Sequence, residues 1–291
     1  EPFGAIASIE VVGGLVFATD LIGDPYRVVV VDWTTGEVRS RFGPKGEGPG
    51  EFLTPYVTLL AAEGDGLWYS VWDEARGVAE FGRFDTVTTS LSSRDSRRFT
   101  DHGRQIAGAV VSREASWVHT LTGAPQVLRV SPDGAVQRRY QLLSPFPGDA
   151  DPTDPVLNRT QLTIDTESGQ AAVAFRYAPR IDVVDLTNGR IRSFTASEAS
   201  PESVADIARR DRPGYFDVVV NSEFLYGLFK DRGERLPVQI HRYRLDDGSL
   251  DVLDLGRPVL SMAIPPGDSV IWGGVVEPIP AIGDWRISRM R

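Results

Sequence analysis

The chain of 291 residues carries 31 Lys and Arg against 40 Asp and Glu, a net charge of −9, with 41% hydrophobic and 24% charged residues. This is the make-up of a folded globular chain rather than a disordered one, and its acidic balance argues against a nucleic-acid backbone as partner. Apolar runs stop after a few residues, as at Val28 to Val31, which excludes a membrane-spanning helix of roughly 20 apolar residues; the absence of Cys excludes disulfides, thiolate metal sites and cysteine nucleophiles.

Along the chain one kind of strand recurs. It appears as GLVFATD (from Gly14), GLWYSVWD (from Gly66), ASWVHTL (from Ala115), AAVAFRY (from Ala171), FLYGLFK (from Phe224) and SVIWGGV (from Ser269), at intervals of about 45 to 56 residues, the spacing of propeller blades. A second kind follows most copies: RVVVVDWTTGEV, QVLRVSPDGAV, RIDVVDLTNGRI and QIHRYRLDDGSL. Each runs into a turn at Thr35-Gly36, Asp133-Gly134, Asn188-Gly189 or Asp247-Gly248. Asn-Gly and Asp-Gly supply the positive φ that two-residue hairpins need. One segment reads as helix, Ser200 to Arg210, with Ser200 as cap, Pro201 in the first turn and Arg209 and Arg210 at the negative end.

The pattern predicts an all-β chain, residues 1–291 forming a single six-bladed β-propeller with one short inserted helix. The last repeat, WRISRM, reaches the C-terminus without an outer strand, which Glu1 to Val12 or an upstream segment can donate. Because the chain begins at Glu1 and not Met, an upstream piece such as a signal peptide, or one bearing a membrane anchor, is expected to have been removed. Lys45 and Lys230 are the only lysines, a skew towards Arg that points to a GC-rich bacterial coding sequence.

Between the first two repeats lies FGPKGEGPGEFLTP, Phe42 to Pro55. A phosphate loop needs Gly-Lys-Ser/Thr ahead of a helix, whereas here Lys45 precedes Gly46 and no Ser or Thr follows. The segment resembles the corner of NHL-repeat-like and TolB-like bacterial six-bladed propellers, with Gly43, Gly46, Gly48, Pro49, Gly50, Phe52 and Pro55 at the matching positions. The resemblance implies a left-handed turn at the glycines and Phe52 plugging the groove between blades 1 and 2. Similar bacterial propellers are secreted or lipid-anchored, so it also implies a periplasmic or extracellular location.

Chemistry is sparse. Three histidines, His102, His119 and His241, show no ligand spacing, and no G-x-S-x-G elbow occurs. Gluconolactonase-like propellers hold calcium with carboxylates and an Asn at the channel mouth; that likeness implies Asp20, Asp73, Glu74 and Asn221 as candidate ligands. The plain reading of the same residues is that they cap turns. Two segments read as surfaces for a partner: the Pro- and Asp-rich stretch Ser144 to Thr160, and the apolar stretch Val275 to Trp285, with Val276, Pro278, Ile279, Pro280, Ile282 and Trp285 as contact residues. The expectation is a non-catalytic exported propeller without a cofactor, a protein-binding module or subunit of a larger, membrane-associated assembly. The alternative is a calcium-dependent lactonase-like hydrolase or sugar-binding protein using the central channel.

Overall fold

The computed structural model describes residues 4–23, 25–63, 66–99, 106–112, 114–120, 125–143, 160–196, 212–265, 270–275 and 281–286. Every regular element among them is a β-strand, and the fold is a six-bladed propeller. Blade 1 is β1 (Ile6–Val12), β2 (Leu15–Asp20), β3 (Tyr26–Asp32) and β4 (Val38–Pro44). Blade 2 is β5 (Pro55–Glu63), β6 (Gly66–Asp73), β7 (Val78–Asp85) and β8 (Ser90–Arg98). Blade 3 is β9 (Ile106–Val111), β10 (Ser116–Thr120), β11 (Gln126–Val130) and β12 (Val136–Gln141). Blade 4 is β13 (Thr160–Asp165), β14 (Gln170–Phe175), β15 (Arg180–Asp185) and β16 (Ile191–Thr195). Blade 5 is β17 (Gly214–Val220), β18 (Phe224–Lys230), β19 (Gln239–Arg244) and β20 (Leu250–Asp254), and blade 6 is β21 (Val259–Ala263), β22 (Val270–Val275) and β23 (Ala281–Arg286). Each sheet keeps its strands in chain order, with antiparallel neighbours.

The aromatic runs of the sequence are the second strands, flanked by partners on both sides: β2 and β10 are buried at every position. The first strand of each blade, less aromatic, is the one the repeat reading did not phase. This corrects the idea that Glu1 to Val12 completes the last blade. β1 pairs with β2 in blade 1, Ile9 against Ala18 and Val11 against Val16, while its buried Ile9 and Val11 pack with Val16 and with Ala263 of blade 6. The fourth strands are the exposed edges, as in β12, where only Tyr140 is buried. The inserted helix expected at Ser200 to Arg210 lies outside the described residues.

The turns also differ from expectation. Asp32 N donates to Glu37 O and Gly36 N to Asp32 O, at 2.9 and 2.8 Å. Asp185, Arg190 and Gly189 repeat the pattern in blade 4, as do Arg244, Ser249 and Gly248 in blade 5. These are four-residue loops in which the glycine alone has positive φ, not two-residue hairpins, where both central residues can need it. An Asp at the loop's start makes the longer form favourable. Asp32 Oδ1 accepts from Thr34 N and Thr35 N, and Asp185 Oδ1 from Thr187 N and Asn188 N. In blade 2 the glycine position is Thr89, at φ 51.

The chain divides into two compact units. In the one holding blades 1, 2 and 6, Phe17, Val28, Phe42, Val57, Tyr69 and Phe84 form a core cluster joining blades 1 and 2. Phe17 meets Phe84 edge-on at 5.1 Å. In the other, Ile181, Val183, Phe194, Tyr215, Leu225 and Tyr243 form the core of blades 4 and 5. Full burial of each such side chain contributes about 1.5–3 kcal/mol.

Candidate interaction surface

The glycine-rich corner is built around one ring. Gly43 has φ +65, and a Cβ there would come within 2.2 Å of the Phe52 ring. Phe52 N donates to Pro44 O at 2.9 Å, and Phe52 itself is 2% exposed, packed among residues of blades 1 and 2. The amides of Gly48 and Gly50 donate to Glu51 Oε2 at 2.8 Å and to Glu80 Oε1 at 3.0 Å. Donors that a phosphate would use are therefore already bonded to carboxylates of the chain itself.

Asp20 and Asp73 are a matched pair of forks. Each ends a second strand, opposite the first residue of the first strand, Ile6 or Pro55. Asp20 accepts from Gly4 N and Ala5 N at 2.8 and 2.9 Å, and also from Ile22 N and Gly23 N. Asp73 accepts from Leu53 N and Thr54 N at 2.9 and 3.1 Å. Burial works to raise the Asp20 carboxyl, but its backbone donors prevail and hold it below the ordinary value. Glu74 accepts from the Tyr56 hydroxyl at 3.3 Å, and Asn221 Oδ1 from Glu223 N and Phe224 N at 2.9 and 2.8 Å. Among the described residues no three His, Asp or Glu side chains group as ligands for one ion.

Of the histidines, His102 lies outside the described residues. His119 is wholly buried in β10; its Nδ1 is 2.8 Å from Thr160 Oγ1 at the start of blade 4, and its Nε2 has no partner. Burial holds its pKa down to about 3, so the ring is neutral. His241 Nδ1 is 3.0 Å from the Tyr215 hydroxyl, which also lies 2.7 Å from that of Tyr243. Phe229 stacks on the His241 ring at 4.1 Å, and burial lowers this histidine to about 4. Neither ring is offered to solvent.

Four of the residues expected to meet a partner, Val276, Pro278, Ile279 and Pro280, lie outside the described residues, as do 144–159 of the other segment. Ile282 and Trp285, expected to form part of a partner-facing surface, fall in β23, a regular strand paired with β22. Both are half-buried. Ile282 packs against the cluster of Ile9, Val11, Val16 and Ala263, beside the stacked pair Trp33–Trp272, whose rings are 5.2 Å apart.

The open surface lies where the sequence drew no attention, along the fourth strands of blades 3 and 4. The β15–β16 turn docks on β12 through Arg138, whose guanidinium donates to Leu186 O and Thr187 O at 3.1 and 2.9 Å, and through the Tyr140 hydroxyl, 2.8 Å from Leu186 O. Beside this clamp runs a groove of about 480 Å³ lined by Arg138, Arg139, Gln141, Thr187, Asn188 and Ile191. A second, of about 390 Å³, shares Asn188 and continues past Gln170, Arg190 and Arg192 to Asp246. The guanidinium groups of Arg139 and Arg190 make no hydrogen bond or ion pair among the described residues. The sequence signal was QRRYQ and GRIRSF, Arg-rich fourth strands in an acidic chain.

No protein-family model matches the chain, and no curated protein sequence does. Solved structures do match. A protein from Bacteroides fragilis described as exported is similar with a TM-score of 0.59 at 10% identity, over 94% of this chain and 80% of that one. A member of the DUF4221 family from Bacteroides vulgatus gives 0.53 at 9% identity, over 98% and 93%. A chain of a mitotic checkpoint complex gives 0.52 at 14% identity, over 100% and 78%. At such identities the likeness shows the propeller fold and nothing finer.

Proposed function

We propose that this chain is a non-catalytic, exported propeller of the NHL-like and TolB-like bacterial type, serving as a protein-binding module or a subunit of a larger, membrane-associated assembly. One observation carries the reading: Asp20, Asp73, His119 and His241 are turned inward, while spare hydrogen-bonding capacity faces outward. Asp20 and Asp73 are committed to backbone amides, and His119 and His241 are buried and neutral. Arg139 is exposed beside an open groove. The likeness to an exported Bacteroides protein supports export, and the likeness to a chain within a checkpoint complex supports a role among protein partners. Ile282 and Trp285 on β23 are a second place for such a contact.

The calcium-dependent alternative asks Asp20 and Asp73 to exchange backbone donors for an ion, which releases the entries to two first strands. The test is native purification from the source organism's envelope, with bound proteins identified by mass spectrometry. A stoichiometric, salt-resistant partner is the expected result. A folded chain recovered alone, whose melting temperature rises with calcium by mass action, sinks the reading in favour of a ligand site.

A further inference from the structure

We infer that the exposed edge of β12 and the β15–β16 turn form a docking groove for an acidic, extended segment of a partner protein, an inference that rests on the protein-binding reading above. The floor of this groove is preorganised. Asp185 Oδ1 accepts from Thr187 N at 2.8 Å and Asn188 N at 3.2 Å, and Asn188 Oδ1 accepts from Arg190 N at 2.8 Å, so the turn is held by its own hydrogen bonds. Arg138 and Tyr140 then fix that turn against the strand. A preformed site loses less entropy on binding than a loop that must be ordered.

Charge selects the occupant. Arg138, Arg139, Arg190 and Arg192 line the two adjoining grooves. The carboxylates there are Asp185, held by its own turn, and Asp246, which accepts from Asp247 N. Arg138 and Arg192 have backbone carbonyl partners, the latter Leu245 O, while Arg139 and Arg190, without side-chain partners among the described residues, are placed to meet carboxylates, which a guanidinium binds through two parallel hydrogen bonds. Protecting a sheet edge from aggregation requires only charge along it; it does not require a shaped groove beside the charges.

The backbone selects an extended form. Arg138 to Gln141 line the groove as consecutive residues of an edge strand. The bulge in this ladder lies nearer the turn, between the Arg129–Arg138 and Val130–Val136 pairs, so the stretch from Arg138 to Gln141 stays regular. Such an edge presents amide and carbonyl groups that an incoming strand can pair, as in strand-addition complexes. A nucleic acid has no matching main chain, and the net charge of −9 opposes a long polyanion more than a short acidic peptide.

The test uses the full chain and a fluorescein-labelled ten-residue peptide alternating Glu and Val, followed by anisotropy, with a Lys-Val peptide and a single-stranded oligonucleotide as comparisons. Saturable binding of the Glu-Val peptide is expected, weakened roughly tenfold or more by Arg139→Glu with Arg190→Glu and by raised salt. Arg235→Glu, at an exposed arginine on the β18–β19 connection, should leave binding unchanged. Melting curves establish that each variant is folded. No binding by the unaltered protein, equal loss with Arg235→Glu, or tighter binding of the oligonucleotide through the same two arginines overturns the inference. Repeating the native purification with the double variant separates the two levels. A partner retained at full stoichiometry removes this groove but leaves the binding module standing. No partner with the unaltered chain removes the module itself.

Discussion

The glycine-rich corner between blades 1 and 2 and the rim of blades 3 and 4 are both turns pinned by charged side chains, yet they end in opposite states. In the corner the carboxylates point inward: Glu51 and Glu80 hold the amides of Gly48 and Gly50, and Asp73 holds Leu53 and Thr54. The loop amides of Gly48 and Gly50 are taken, and the buried ring of Phe52 closes the space. At the rim Asp185 organises its turn in the same manner, but the neighbouring strand adds more guanidinium groups than the turn can use. A loop that looks like a ligand cradle is thus filled by its own chain, while an unremarkable strand edge keeps capacity to spare.

The comparison predicts that substitutions in the corner act on stability and substitutions at the rim act on binding. The largest effect is expected for Phe52→Ala, a loss of about 3–5 kcal/mol in unfolding free energy measured by urea denaturation. A loss below about 1 kcal/mol would mean that the ring is not what closes the corner.

Acid should come next. His119, near 3 in the folded protein against an ordinary 6.5, stays neutral while the unfolded chain takes up a proton. Stability is then fully present above about pH 6.5 and falls as pH drops towards 3, by at most about 1.4 kcal/mol per pH unit from this one group. His241, near 4, adds to the same limb. His119→Gln should flatten the slope between pH 6.5 and 4 in denaturation curves, whatever it does to stability at neutral pH; an unchanged slope would rule out this origin.

Asp73→Asn should cost about 1.5–3 kcal/mol by weakening charge-assisted bonds to backbone amides, and millimolar calcium should leave the melting temperature of the unaltered protein where it was. A rise of several degrees with calcium would return Asp20 and Asp73 to the list of ligands. Thr89→Gly should stabilise by about 1 kcal/mol, since a β-branched residue at φ 51 is strained where blades 1 and 4 use glycine. Smallest of all, Arg139→Glu should change stability by less than about 0.5 kcal/mol, the counterpart at the rim of the large loss in the corner.

How much of this the sequence disclosed depends on which interactions leave a periodic mark. Second strands such as GLWYSVWD announce themselves because burial along nearly the whole strand demands aromatic and aliphatic residues in series. First strands do not: β1, IASIEVV, spends Ser8 on a hydrogen bond to Thr19 and on receiving Val57 N, so its apolar signal is diluted. Turn lengths are not legible locally because Thr35-Gly36 and Asn188-Gly189 fit a short hairpin, while the deciding group, Asp32 or Asp185, sits earlier in the chain. The forks at Asp20 and Asp73 are legible only as Asp residues at strand ends, since the amides they bind at the entries to the first strands lie 15 to 20 positions away. The rim was hidden for another reason: an arginine without a partner among the described residues and a paired one, such as Arg39 with Asp32 at 2.7 Å, look alike in sequence.

One consequence of the sheet topology concerns where the chain can be cut. Each described sheet is made from one continuous stretch of polypeptide, with no strand borrowed from elsewhere. The order of the blades along the gene is therefore incidental to the integrity of any one of them. Opening the chain between β12 and β13 would therefore interrupt none of the described ladders. New termini there would also flank the β12 edge, which would turn the chain so opened into a means of tethering a chosen peptide to the groove.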